Sequence, residues 1–125
     1  MVDTLHPALE KHRLIASDRV EGTRFYNPAG DRLGSIRNFM VDKVSGRAEY
    51  AVIEFGGILG MGNDYYPIPW DMLTYDVEKR GYAVNLTKQQ LDDAPKHGAE
   101  FPEYDHNYGQ RVFDYYGMAY PYPYI

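Results

Sequence analysis

The stretch from residue 49 to residue 70 constrains the fold more than any other part of the chain. It reads EYAVIEFGGILGMGNDYYPIPW, and residues 50–55 are apolar at nearly every position, with β-branched and aromatic side chains. A strand that is apolar on both faces must be covered on both, so we predict that it lies in the middle of a sheet or barrel. Gly56, Gly57 and the glycines at 60 and 62 predict a reversal, because glycine adopts backbone conformations in which a side chain would clash.

The end of this stretch predicts a second short strand that stops at an edge or corner of the sheet. Pro67 and Pro69 have no N–H, so neither residue can donate a hydrogen bond to a neighbouring strand. Trp70 is the only tryptophan of the chain, and we expect its side chain to close one end of a barrel. We interpret the glycines as a hairpin and not as a phosphate loop, because no lysine follows and the chain leads into a strand instead of a helix.

Turn residues at regular spacing predict further short strands on both sides of this stretch. Gly30 and Gly46 belong to the reversals NPAGD and KVSG, in which glycine supplies the left-handed position. Strands are expected over residues 14–16, 23–26, 32–42, 73–77 and 82–86, which gives five to seven strands in all. In residues 32–42 the alternation fails near Asn38, which predicts a bulge; a helix is the competing interpretation, since residues 33, 36 and 40 share a helical face.

Two short helices are predicted after the strands. Thr87 and Gln90 have the spacing of a capping box, so a helix is expected to start after Thr87 and to run to about Ala94. A second helix is expected between a cap at Asn107 and a glycine stop at Gly117.

Tyrosine dominates the C-terminal part of the chain. There are 13 tyrosines, and seven of them lie in the last quarter. On the second predicted helix Tyr108, Val112 and Tyr115 share a face, with Tyr116 beside Val112. Alternating proline and tyrosine in residues 120–125 then favour an extended strip. Tyrosine combines apolar contact area with a hydroxyl that tolerates water, so this part either packs on its own barrel or crosses to another subunit.

Length and charge limit the classes of function. A chain of 125 residues is expected to form a lead-in (1–11), one domain (12–94) and an extension (95–125). The formal net charge of -5 argues against a nucleic-acid groove, which requires clustered lysine and arginine. The absence of cysteine excludes disulfides and thiolate metal sites. No apolar run approaches the roughly 18 residues of a membrane span, and MVDTLHPALEKHR lacks a signal-peptide hydrophobic region, so we expect a cytoplasmic protein.

Four motifs, in this order, resemble the PRC-barrel family. They are YNPAGDRLGSI at residues 26–36, VDKVSGR at 41–47, YAVIEFGG at 50–57 and YPIPWD at 66–71. The resemblance extends from about residue 14 to residue 94 and leaves the tyrosine-rich extension outside. It implies a mainly β fold, a small barrel of the kind found in the photosynthetic reaction-centre H subunit and the ribosome maturation factor RimM. In those proteins the barrel is mainly a docking module, and the resemblance implies no catalytic residues.

Few residues of the sequence suggest a metal site or a catalytic site. The densest group of potential metal ligands is in residues 97–106, where His97 and His106 are weak candidates. A metal site needs converging ligands with a supporting shell, and a linker of mixed charge gives the same residues by chance, so we predict no metal and no cofactor. No nucleophile, general base or cofactor motif can be named, and we therefore predict no enzymatic activity.

These observations predict a non-enzymatic interaction and assembly module that forms a homodimer and docks a protein partner. The side chains expected at its contact surface are Tyr50, Tyr65, Tyr66, Trp70, Tyr108, Val112, Tyr115, Tyr116 and Tyr120. One alternative is a sensor of a small ligand or metal, with a pocket at the barrel mouth or a site at His97 and His106. A second alternative, an RNA or ribosome-assembly factor, conflicts with the acidic charge.

Overall fold

The computed structural model describes residues 14–55 and 64–121, and within them lie six strands and three short helices. The strands are β1 (Arg24–Tyr26), β2 (Arg32–Val41), β3 (Ala48–Phe55), β4 (Asp64–Pro69), β5 (Thr74–Asp76) and β6 (Gly81–Ala83). The helices are α1 (Ser17–Val20), α2 (Lys88–Asp92) and α3 (His106–Tyr115), and a 3-10 turn spans Trp70–Met72. The predictions on the N-terminal lead-in, on the glycine reversal with Gly56 and Gly57, and on the strip beyond residue 121 lie outside the described residues.

The six strands form one curled sheet in the order β4-β3-β2-β1-β6-β5. Neighbouring strands are antiparallel, except that β1 and β6 are parallel. The two outer strands, β4 and β5, would lie roughly 24 Å apart if the sheet were flat. Only residues 70–73 connect them, and a connection of that length spans at most about 18 Å. The sheet therefore curls toward a barrel, as predicted, although no ladder joins β4 to β5 in the described ranges.

The curled sheet encloses the main hydrophobic core. Side chains from five strands and from α2 meet inside it, among them Phe25, Leu33, Ile36, Ala51, Ile53, Tyr66, Ile68, Tyr82 and Leu91. Trp70 packs against this core from the turn between the outer strands, with its ring centroid 5.6 Å from that of Phe39 and 5.5 Å from that of Tyr82. Its side chain thus contacts residues of β2 and β6 from the connection between β4 and β5.

Residues 32–42 form a strand and not the competing helix, with the strand ending at Val41. The β2–β3 register shifts between Ile36 and Asn38, so the predicted bulge is confirmed. The strand prediction for residues 14–16 is wrong, because these residues have no regular structure. The Leu14 and Ile15 side chains are 77% and 54% exposed, so the sheet buries neither of them well.

The capping box of α2 is confirmed. The Thr87 Oγ1 accepts the Gln90 N–H at 3.0 Å, and the Gln90 Oε1 accepts the Thr87 N–H at 2.8 Å. The helix ends at Asp92, two residues before the predicted end at Ala94. A proline follows Ala94, and proline disfavours helical geometry in the residue before it.

The predicted cap of α3 is wrong. Asp105, and not Asn107, caps the helix, and its Oδ1 accepts the Tyr108 N–H at 3.0 Å. The helix begins at His106, so Asn107 lies inside its first turn.

The predicted glycine stop of α3 is confirmed. Gly117 has a φ of 69°, and its N–H donates to the Asp114 carbonyl at 3.1 Å. The next N–H, from Met118, donates to the Phe113 carbonyl at 2.9 Å. These two bonds are the Schellman motif, which requires a left-handed residue at this position.

Candidate interaction surface

Helix α3 covers the outer face of β3. Ala51 and Ile53 belong to the main core, whereas Tyr50 belongs to a second cluster on the other face of the strand. This second cluster contains Tyr50, Tyr108, Val112 and Phe113, with Met40, Tyr104, Tyr116, Met118 and Tyr120 packed around them. The Tyr50 ring centroid lies 5.2 Å from that of Tyr104 and 5.5 Å from that of Phe113. The expectation that β3 is covered on both faces is confirmed, and in the described residues the extension packs on its own barrel.

The buried face of α3 differs from the prediction at two positions, 113 and 115. Tyr108 and Val112 are buried as predicted, but Tyr115 is 41% exposed, and its hydroxyl donates to the Gln90 carbonyl at 2.6 Å. Phe113, which the prediction missed, is buried instead. Positions 108, 109, 112, 113 and 116 form the broad stripe of a helix that packs on a core, and this stripe is visible in the sequence once Phe113 is counted.

The chain after α3 folds back over the helix at Gly109. A Cβ on Gly109 would collide with the Tyr120 ring, whose Cζ and Oη would lie 2.7 Å from it. The Tyr120 ring centroid lies 5.3 Å from that of Phe113 and 5.0 Å from that of His106. Glycine at this position therefore makes room for the Tyr120 ring.

One phenol hydroxyl in the second cluster is buried without a hydrogen bond. It belongs to Tyr116 and has no partner in the described part of the chain. Burial raises the pKa of Tyr116, and nearby Tyr115 and Tyr66 raise it further. A buried polar group without a partner costs about 1–3 kcal/mol, so the apolar contacts of Tyr116 must offset this cost.

The two weak metal candidates occupy different environments. The His97 Nδ1 lies 2.8 Å from the Gly98 carbonyl oxygen, and its Nε2 lies 2.7 Å from the Tyr104 hydroxyl. Because a carbonyl only accepts, Nδ1 carries the proton in the neutral ring and the Tyr104 hydroxyl donates to Nε2. His106 instead packs edge-on against Tyr120. Within residues 14–55 and 64–121, no three His, Cys, Asp or Glu side chains form a group suited to hold a metal.

The outer edge of β4 offers no N–H to another strand from residue 65 to residue 69. The N–H and carbonyl of Tyr65 both pair with the His97 backbone, at 2.8 and 2.9 Å. Residues that alternate along a strand direct their backbone groups to the same side, so Pro67 and Pro69 follow Tyr65 on this edge. The prediction that the two prolines place β4 at an edge is confirmed.

The turn between β2 and β3 presents an apolar side chain on a well-bonded backbone. The Asp42 Oδ1 accepts the N–H groups of Val44 and Ser45, both at 2.8 Å. The Asp42 N–H and carbonyl bond to Arg47 and Gly46, also at 2.8 Å. Val44, at the tip, is 96% exposed. Val41, at the end of β2, is 46% exposed.

The structure places the predicted contact residues in two groups. Those buried within the chain are Tyr50, Tyr66, Tyr108 and Val112. Those that are half-buried or exposed are Tyr65, Trp70, Tyr115, Tyr116 and Tyr120.

A groove of about 250 Å³ lies beside the β2–β3 turn. Its lining residues are Met40, Val41, Asp42, Glu49, Tyr50, Tyr104 and Tyr120. Sequence reasoning treated the turn only as a reversal and missed Val44.

Comparison with known proteins identifies the domain family of this chain. No helix in the described ranges has the length and apolarity needed to span a membrane. None of the curated proteins matches this chain. The family model of the PRC-barrel domain matches residues 12–91, which is more than half of the chain. The curled six-strand sheet agrees with this match, and the protein belongs to the PRC-barrel family.

Proposed function

We propose that this protein is a non-enzymatic interaction and assembly module that self-associates and docks a protein partner. PRC-barrel domains are generally non-catalytic, which supports the first part. The observation that carries the second part is the β2–β3 turn, where Val44 is 96% exposed on a backbone fixed by four hydrogen bonds. A turn whose backbone is ordered before binding loses less conformational entropy when a partner buries its side chain.

The partner that this surface fits is a second copy of the chain. Val44 is two residues from Asp42, which lines the groove, so a two-fold axis near the turn would allow each valine to approach the groove of the other copy. Asp42 and Lys43 next to Val44 carry opposite charges, so a two-fold arrangement that brings Asp42 of one copy beside Lys43 of the other would pair unlike charges twice. The groove includes Tyr50 and Tyr120, two of the predicted contact residues.

Two other routes to self-association have less support. Pairing through the β4 edge lacks N–H donors, because Tyr65 is paired and Pro67 and Pro69 have none. The apolar face of α3 already packs on Tyr50, so a contact with another copy through that face would first have to break this packing. A role in RNA binding remains disfavoured by the net charge of -5.

The proposed contact is weak. Burial of a valine side chain contributes about 1.5–3 kcal/mol, and two copies bury two such valines at the tips. Association costs about 4–15 kcal/mol in lost rigid-body freedom, which the two valines alone do not offset. The groove must therefore contribute contacts as well, and we expect self-association only at concentrations toward about 1 mM.

Sedimentation equilibrium over a concentration series up to about 1 mM tests this proposal. We expect the average mass of the unaltered protein to rise toward that of a dimer, and the mass of Val44→Asp to stay at that of a monomer. Ile15→Ser is the matched control, because it also removes an exposed apolar side chain but lies outside the turn. A monomer at every concentration, or equal association of Val44→Asp and the unaltered protein, would overturn the proposal.

A further inference from the structure

A cavity of about 280 Å³ lies between the barrel and the C-terminal extension. The barrel contributes Arg47 and Glu49 from the start of β3, and Trp70 and Asp71 from the turn between the outer strands. The extension contributes Phe113 from α3 and the residues that follow the helix, including Met118. The volume gives room for on the order of ten non-hydrogen atoms, which is at the small end of ligand sites.

The charged groups of this cavity have unused binding capacity. Arg47 and Asp71 are exposed at the cavity and Glu49 is half-buried beside Tyr50 and Tyr120, so all three charged groups can still accept a polar partner. A guanidinium binds a carboxylate through two parallel hydrogen bonds, and a carboxylate accepts hydrogen bonds from an ammonium group. A ligand with one charge would meet a like charge as well as an unlike one here. A ligand that carries both charges can place each beside its opposite.

The rest of the lining is apolar and aromatic. Trp70, Phe113 and Met118 offer contact area to a hydrocarbon side chain, and tryptophan is also the best ring for an ammonium group. Together these features define three requirements: a negative group for Arg47, a positive group for Glu49 and Asp71, and an apolar part. We propose that this cavity binds a small zwitterion with an apolar side chain, of the class of a free α-amino acid.

Binding there would connect two parts of the chain. Residues 47–49 and 69–71 belong to the barrel, whereas residues 113–121 belong to the extension. A ligand that contacts both parts stabilises the packed arrangement by its binding free energy. Occupancy therefore raises the melting temperature as well as changing the surroundings of Trp70. This inference does not depend on the proposed self-association.

The fluorescence of Trp70 tests the inference directly, because it is the only tryptophan in the chain and it lines the cavity. The probes are L-leucine, isoamylamine, which lacks the carboxylate, and isocaproate, which lacks the ammonium group. We expect L-leucine to change the emission saturably and to raise the melting temperature. Each one-charge analogue is expected to bind at least about 10-fold more weakly, because one charged group loses its partner.

Two substitutions identify the charged contacts. We expect Arg47→Gln and Asp71→Asn each to weaken L-leucine binding by about 10-fold, since each removes one charge-assisted contact. Arg32→Gln is the matched control, because Arg32 is exposed on β2 and does not line the cavity. The proposal fails if L-leucine at about 50 mM changes neither emission nor melting temperature. It also fails if the analogues bind as well as L-leucine, or if Arg47→Gln leaves its affinity unchanged.

Discussion

The backbone of His97 pairs with that of Tyr65 on the outer edge of the sheet. The Tyr65 N–H donates to the His97 carbonyl at 2.8 Å, and the His97 N–H donates back to the Tyr65 carbonyl at 2.9 Å. Their rings stack with centroids 5.9 Å apart. The linker after α2 is therefore fixed to β4, and the edge that the linker leaves uncovered contains Pro67 and Pro69. An exposed strand edge with N–H donors would pair with other chains, and this edge lacks them.

Restoring an N–H to this edge is predicted to promote strand pairing between molecules. Pro67→Val places a donor at a position where the native strand has none, in a residue of similar apolar character. We expect faster aggregation, measured by light scattering during incubation at raised temperature. The unfolding free energy should also fall by about 0.4–1 kcal/mol, because proline restricts the unfolded chain.

Pro28→Ala is the matched control for this experiment. Pro28 lies in the turn between β1 and β2, so its loss changes the unfolded chain without adding a donor to the β4 edge. Equal aggregation of Pro28→Ala and Pro67→Val would show that lost stability, and not the new donor, is the cause.

Removing the hydroxyl of Tyr116 is predicted to stabilise the protein. This hydroxyl is buried and has no hydrogen bond to residues 14–55 or 64–121, so Tyr116→Phe relieves an unpaired polar group, and we expect a gain of about 1 kcal/mol in unfolding free energy. Tyr104→Phe is the opposite case, because its hydroxyl donates to His97, and we expect a loss of about 1 kcal/mol. Urea unfolding of both variants measures the difference. A loss of stability in Tyr116→Phe would mean that the hydroxyl has a partner.

The buried tyrosines predict instability at alkaline pH. Burial is the largest cause that raises the pKa of Tyr50, Tyr104 and Tyr116 above the ordinary value of 10.0. The unfolded chain loses these protons near pH 10 while the folded protein retains them, so the unfolded state binds fewer protons. The stability that these groups contribute is complete below about pH 10 and is lost as the pH rises toward their folded values, at about 1.4 kcal/mol per pH unit for each group.

Urea unfolding at about pH 8, 10 and 11 measures this dependence. Ultraviolet absorbance of the phenolate should rise together with unfolding, since the buried groups ionise only when the protein opens. Tyr116→Phe removes one of the three groups and should reduce the slope. A stability that is unchanged between about pH 10 and pH 11 would contradict the assignment.

Gly109 and Tyr120 are predicted to be energetically coupled. In an exposed helix, replacing glycine by alanine stabilises by about 1 kcal/mol. Here the new Cβ would displace the Tyr120 ring from its contact with Phe113, so we expect Gly109→Ala to give no gain or a loss. In the Tyr120→Ala background the ring is absent, and the gain of about 1 kcal/mol should return. Additive effects in this double-mutant cycle would mean that the ring does not pack on Gly109.

Local sequence rules predicted the features whose causes lie within a few residues. The burial of residues 50–55 follows from their composition, the edge position of β4 follows from Pro67 and Pro69, and the capping box follows from Thr87 and Gln90. Each depends on a missing donor, a side-chain type or a spacing that is visible in the chain itself. The bulge near Asn38 was visible for the same reason, because it interrupts an alternation.

Features that depend on distant contacts were not predictable in the same way. Asp105 and Asn107 are both good capping residues, and the sequence offers no local reason to prefer the one that caps α3. β1 and β6 have only three residues each, too few to show the alternation of apolar and polar side chains along a strand. The sequence therefore did not indicate that these two strands pair in parallel. The exposure of Val44 follows from the absence of any described element over the turn, which is a property of the whole fold.

Paramagnetic broadening between two molecules tests the central claim most directly. The chain has no cysteine, so a spin label on Ser45→Cys sits uniquely beside Val44, and a label on Glu78→Cys in the β5–β6 turn serves as the control. Labelled protein is mixed at about 1 mM with isotope-labelled protein that carries no spin label. We predict that the Ser45→Cys label broadens the backbone signals of residues 40–47 in the second molecule, and that the Glu78→Cys label does not. Equal broadening by both labels, or none from the Ser45→Cys label, would contradict self-association through the β2–β3 turn.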